Sequence, residues 1–236
     1  MRSIILGLCL GSAGLFGQAT GVQPQLLRTG VDTLHVFYIQ SKDTARTGVV
    51  VDDIRIAKRA GRSVIERIYI TQDRVLGTRV DTLVDDAGGL APVSLRSRTS
   101  RNSAFLAFSR DSVIGWLRLA NGDSVPVAAP LAIGGISSSA FDLWLRASPL
   151  SDSWSGTVQA FEPFSRTTIP LQARVTGKVI VDGEASWTVQ ANFGGTPVTF
   201  WIGQSSRTLR RQLMQIAPDR AILFSKSGPS VPRRAS

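Results

Sequence analysis

Hydrophobic and polar positions alternate along most of this chain, most clearly between residues 186 and 226. There Trp187, Val189, Ala191 and Phe193 take turns with Ser186, Thr188, Gln190 and Asn192, the two-residue period of a strand with one buried and one wetted face. Gly194-Gly195 turns the chain, Val198, Phe200 and Ile202 alternate with Thr199 and Trp201, and runs at 208–216 and 221–225 follow after short polar breaks. The same reading upstream predicts strands at 33–41, 49–58, 62–72, 75–84, 90–99, 103–109, 112–120, 157–162, 169–176 and 178–181. In 62–72 it gathers Val64, Ile68 and Ile70 on one face with Glu66 among them, and in 75–84 it groups Leu76, Val80 and Val84. Residues 41–48 read as a polar hairpin loop. Links this short predict antiparallel neighbours, because a parallel pair needs a crossover of about a dozen residues.

Two stretches depart from the alternation. Residues 126–135 are apolar but interrupted by Pro126, Pro130, Gly134 and Gly135, which predicts a crossing loop laid against the core. Residues 138–147 predict the one helix, with Phe141, Trp144 and Leu145 on one face at three and four spacing and a serine of 137–139 as its cap. Two turns of helix do not hold themselves up in water, so this one must be pinned to the sheet by those side chains. A sheet of about ten strands has to curl. The expected fold is therefore all-β and mainly antiparallel: a strongly curved sheet or incomplete barrel with the helix on its concave face. One domain is expected over residues 23–226, followed by a disordered basic tail at 227–236.

The N-terminus carries Arg2, an apolar run from Ile4 to Phe16, and small residues ending in Gly17-Gln18-Ala19. That order is the signature of a secretory leader, predicting cleavage after Ala19 and a periplasmic or secreted protein. The run falls short of the ~20 residues of a membrane-spanning helix, so no transmembrane segment is expected once the leader is gone. Cys9, the single cysteine, lies inside it behind Leu8 rather than a small residue, which disfavours a lipidation box. The processed chain then has no disulfide and relies on packing alone. The full sequence has a formal charge of +10, which becomes +9 once Arg2 leaves with the leader, and this suits anionic partners such as lipid head groups. Arginines spread over a solvated surface explain it as well, and no basic run interleaved with aromatics points to nucleic acid.

Candidate chemistry is sparse. His35 is the only histidine and, set in an apolar strand, reads as structural. No catalytic-elbow, phosphate-loop or metal-ligand spacing occurs, so no catalytic residue, metal or cofactor is expected. The pairs Asp52-Asp53 and Asp85-Asp86 read as strand-end or turn residues, since neighbours on a strand point to opposite faces. The aromatic residues Trp116, Phe141, Trp144, Trp187, Phe193, Phe200 and Trp201 are candidates to line a cavity, or else simply form the core. Arg207, Arg210 and Arg211 are the candidate contacts to a head group or partner.

From Ser137 onward the chain resembles a family of uncharacterised bacterial envelope proteins of unknown function. The resemblance rests on Phe141-Asp142-Leu143-Trp144-Leu145-Arg146, Phe200-Trp201-Ile202 and Leu209-Arg210-Arg211-Gln212. That family is similar in outline to the periplasmic lipoprotein-carrier proteins, whose bent antiparallel sheet holds acyl chains under a helical lid. The resemblance implies an envelope protein that binds or carries an apolar ligand, lipid or acylated protein. The alternatives are a ligand-free scaffold that docks an envelope partner and, with less support, a hydrolase built around Glu66 or His35.

Overall fold

A computed structural model describes residues 21–229 and 233–234; the expected leader lies outside the described residues. In chain order the elements are β1 (Gly30–Gln40), β2 (Asp43–Arg59), β3 (Arg62–Asp73), β4 (Gly77–Asp86), β5 (Pro92–Thr99), β6 (Ser103–Phe108), β7 (Ser112–Arg118), β8 (Ser124–Pro130) and β9 (Ile136–Ser137). The helix α1 (Phe141–Ala147) follows, then β10 (Ser155–Glu162), β11 (Thr167–Val181), β12 (Glu184–Phe193), β13 (Thr196–Gly203), β14 (Leu209–Ala217), β15 (Arg220–Ser225) and β16 (Arg233–Arg234).

Two meanders make one sheet. The first runs from β1 to β8 and the second from β9 to β15, and they are joined where β1 pairs antiparallel with β15, as in His35↔Ser225 and Tyr38↔Ile222. Among the described ladders all are antiparallel except the two-residue pairing of β9 with β10. The ends, β8 and β9, are not joined to each other, so the sheet is curled but not closed. This matches the predicted curved antiparallel sheet.

Helix α1 occupies the hollow and divides the interior. Phe141, Trp144 and Leu145 pack with Leu34, Val50, Val189, Phe200 and Phe224, while Leu143 and Ala147 pack with Ile54, Ile65, Leu83, Leu95 and Leu117 on the other side. Every residue of α1 except Asp142 is buried, so tertiary packing holds a helix too short to persist alone. The expected serine cap is absent: a 3-10 turn over Ser138–Ala140 leads in, and Ala140 precedes α1 without a side-chain cap. At the other end the Ser148 hydroxyl donates to the Trp144 carbonyl at 2.8 Å.

The structure corrects four further expectations. Residues 124–130 are a strand, β8, rather than part of a loop; an edge strand tolerates Pro126 and Pro130 because one side of it needs no donors. Residues 169–176 and 178–181 are one strand, β11, with a register shift between Val175 and Gly177. The polar hairpin loop at 41–48 shrinks to Ser41 and Lys42, since the β1–β2 ladder runs out to Gln40↔Asp43. Lastly, Asp52 lies in the middle of β2 and not at a strand end or turn, whereas Asp85 does stand at the end of β4; both are buried. Of the tail, Arg233 and Arg234 pair with Ile180 and Val179 of β11, and residues 230–232 and 235–236 lie outside the described residues.

Candidate functional site

Alternation on β2, β3 and β4 turns a polar face into the hollow. Asp52, Arg67, Tyr69, Thr71, Asp81 and Asp85 point inward, and Ile68, on the face that looked the more apolar in the sequence, stands 38% exposed outside. A buried arginine forces this arrangement, since it needs carboxylates and finds them inside. The Arg67 Nε donates to Asp52 Oδ1 at 2.6 Å, and its two terminal nitrogens fork onto both oxygens of Asp142 at 2.7 and 2.8 Å. Arg146, one helical turn after Asp142, donates from Nη1 to Asp52 Oδ2 at 3.1 Å and from Nε to the Arg207 carbonyl at 2.9 Å. Two guanidinium groups and two carboxylates thus close a neutral knot that ties α1 to β2 and β3.

The electrostatics follow from burial and pairing. Burial pushes the Asp52 carboxyl up, but the charges and hydrogen bonds of Arg67 and Arg146 outweigh it and hold the group below the usual carboxylate value. Burial likewise opposes the charge on Arg67, yet Asp142 and Asp52 keep it well above its ordinary value. Burial also raises the Tyr69 hydroxyl, partly offset by Arg67, whose guanidinium carbon lies 4.6 Å from the ring centre.

Asp85 has no such partner. It is 1% exposed with Oδ2 unpaired, and burial pushes it up to about 8, eased only by the charge of Arg67. A folded-state value above the unfolded one means that the contribution of Asp85 is fully present below about pH 4 and is lost as pH rises through about 8. In Asp85→Asn, stability measured by urea unfolding should become flatter between those limits. At pH 8 and above the variant should exceed the wild type by on the order of a few kcal/mol; an unchanged slope would contradict this account.

Above the knot the hollow holds a cavity of about 460 Å³. One wall is apolar, formed by Phe141, Phe193, Val198, Phe200, Met214 and Phe224. The facing wall is polar, formed by Arg67, Tyr69, Thr71, Arg79, Asp81, Ser139 and Asp142, with Leu76, Thr99, Ser138, Glu162 and Gln212 also on the lining. Leu76 is 43% exposed and marks the mouth. Most of the lining charges are matched within the protein: Arg79 donates to Asp81 at 2.9 Å and to the Ser139 hydroxyl at 3.2 Å, and Ser97 donates to Asp81 at 2.6 Å, while Glu162 accepts from the Ser165 backbone N–H at 2.6 Å and forms no ion pair among the described residues. Such a wall offers hydrogen bonds to an uncharged polar group and, with the Glu162 carboxylate not ion-paired, does not favour an anionic one.

Of the aromatic candidates, the structure brings Phe141, Phe193 and Phe200 together on the apolar wall. Edge-on contacts join them, with the Phe141 ring centre 6.2 Å from Phe193 and 5.8 Å from Phe200. Trp144 lies behind that wall, stacked on Phe141 at 5.6 Å and leaning on Trp154. Trp187 is half-buried beside the same core under the Lys178 ammonium. Trp201 alternates with the buried Phe200 and Ile202 and so faces outward, and Trp116 stands on the outer face of β7, 43% exposed. The three candidate arginines are engaged elsewhere: Arg207 donates to the Ser148 carbonyl at 3.1 Å, Arg210 lies 3.6 Å from Glu184, and Arg211 lies 3.2 Å from Asp182. Glu66 pairs with Arg59 at 2.6 Å, and neither it nor His35 lines the cavity. Among the described residues no group of three or more histidine, cysteine or acidic side chains is placed to hold a metal.

Sequence reasoning missed Tyr69, Thr71, Arg79, Asp81, Ser139 and Met214. The available signal was on the helix, where Asp142 and Arg146 sit four apart in a segment otherwise apolar on every side, a spacing that calls for charged partners inside the sheet.

Together these features define an open, barrel-like β domain with an internal hollow. The comparison with solved structures agrees: the chain is similar to a crystallised β-barrel-like protein of the domain-of-unknown-function group DUF1849 from Brucella abortus, with a TM-score of 0.50 and 10% identity over 84% of this chain and 96% of that one. The likeness is one of fold. No family model matches the chain, and no curated protein matches it.

Proposed function

We propose that this protein binds or carries an amphiphile, an acyl chain with an uncharged polar end, in the bacterial envelope. The observation that carries the reading is the cavity, whose volume of about 460 Å³ falls within the roughly 300–1,000 Å³ usual for ligand sites. Its two walls suit the two ends of such a molecule. Phe193, Val198, Phe200 and Phe224 would cover the chain, and Tyr69, Thr71 and Ser139 are placed to bond a hydroxyl or ester. The secretory pattern of residues 1–19 supports the envelope location.

Fluorescence titration with a pyrene-labelled monoacylglycerol tests the reading. Saturable binding is expected, tighter than for the corresponding ionised fatty acid. Val198→Trp, which places a large ring at a cavity-lining position only 4% exposed, should weaken it by at least about tenfold. Trp201→Phe, on the outer face, should leave it unchanged. Equal binding by the wild type and Val198→Trp would reject the site.

A further inference from the structure

The outer face of β5, β6 and β7 carries a second, unrelated arrangement. Strand register sets Arg96 opposite Phe105 and Phe105 opposite Trp116. The Arg96 guanidinium lies 5.0 Å from the Phe105 ring centre, and Phe105 stacks on Trp116 at 6.2 Å. Around this row a groove of about 1,080 Å³ is lined by Arg96, Arg98, Arg101 and Arg118 with no carboxylate among its walls. All four arginines are exposed, and among the described residues none of them forms an ion pair. Beside them Ile114 is 59% exposed, Trp116 43% and Leu119 37%.

Four uncompensated cations call for an anionic partner. The aromatic row narrows the choice. Both faces of the Phe105 ring are covered, by Arg96 and Trp116, so the patch is a poor platform for stacking a base. What it presents is an apolar ridge of Ile114, Trp116 and Leu119 with guanidinium groups on its flank. Tryptophan and arginine in that relation suit the boundary between lipid head groups and acyl chains. We propose that this face docks the protein on a bilayer surface rich in anionic phospholipid. The inference goes beyond the amphiphile reading and does not require it, although Thr99 lines both the groove and the cavity, so a docked molecule would bring the cavity mouth close to the lipid.

Co-sedimentation with vesicles of phosphatidylcholine, alone or mixed with phosphatidylglycerol, provides the test. Partitioning to the mixed vesicles and its weakening by salt are expected. Each basic residue near such a surface contributes roughly fivefold in partitioning, so Arg98→Gln/Arg118→Gln should reduce it by at least about tenfold with an unchanged unfolding midpoint. Ile114→Ser should also reduce it. Residues 1–19 are common to all these proteins, so the differences report the groove. Equal binding by the double variant, no preference for the anionic vesicles, or binding to heparin or RNA without binding to vesicles would overturn the proposal. Val198→Trp should keep vesicle binding while losing the monoacylglycerol probe, so failure of either idea leaves a distinct result.

Discussion

Arg67→Met is expected to destabilise the fold by about 3–5 kcal/mol, the cost of removing one partner from a buried ion pair. The side chain is 1% exposed, and its loss strips Asp52 of one guanidinium and Asp142 of both its short hydrogen bonds. Arg146 cannot replace it, being 3.7 Å from Asp142 and already committed to Asp52 and the Arg207 carbonyl. The loss should depend on pH with a definite sign. In the wild type Asp52 is held below its usual value, so its contribution is present above the unfolded value, about 4, and disappears as pH falls through the folded one. In the variant burial meets less opposition, and Asp52 moves upward. The gap between the two proteins should therefore be widest near neutral pH and narrow toward pH 4 in urea titrations. Arg67→Lys should fall between them, because an ammonium keeps the charge and cannot bond Asp52 and Asp142 as a fork. A neutral effect of Arg67→Met would mean that the knot does not anchor the helix.

Gly115→Ala is expected to cost at least about 3 kcal/mol, at the upper end for overpacking. Gly115 lies in the middle of β7, opposite Leu106 of β6 and Val127 of β8. A methyl group there would sit 2.0 Å from the Phe105 carbonyl oxygen and 3.0 Å from the Leu106 Cα. Both are backbone atoms that can move only if the strands part. Its φ of 155° adds a conformation that favours glycine. Gly177 makes the contrast, since a methyl group there meets nothing within 4 Å and its φ is ordinary. Gly177→Ala should be neutral or slightly stabilising, by up to about 1 kcal/mol. Comparable unfolding midpoints for the two variants would refute the close packing of β6 on β7.

The architecture was legible because period-two alternation survives in strands that bury one face. Short polar links fixed their antiparallel order, and the count of strands against a single short helix fixed the curl. The place of α1 was legible from Phe141, Trp144 and Leu145. What could not be read was which face of β3 and β4 turns inward, for Ile68 and Ile70 compete with Arg67, Tyr69 and Thr71, and burial normally favours the former. The inversion becomes sensible only when Asp52 and Asp142, 15 and 75 residues from Arg67, are seen to meet it. No single strand carries that information. The cavity was half legible for the same reason: Phe141, Phe193 and Phe200 lie on clear apolar faces, whereas its polar wall arises from the hidden pairing of charges. Trp116 misled because a large aromatic residue on a strand suggests a core, and here it stands on the outside among arginines.

The proposed amphiphile would lie in the space between the sheet and α1. Native mass spectrometry of the protein purified without detergent, before and after organic extraction, addresses it most directly. The expected result is an extra mass of one lipid-like molecule that extraction removes and that Val198→Trp never carries. A wild-type protein of bare mass that also takes up no monoacylglycerol when it is supplied would contradict it.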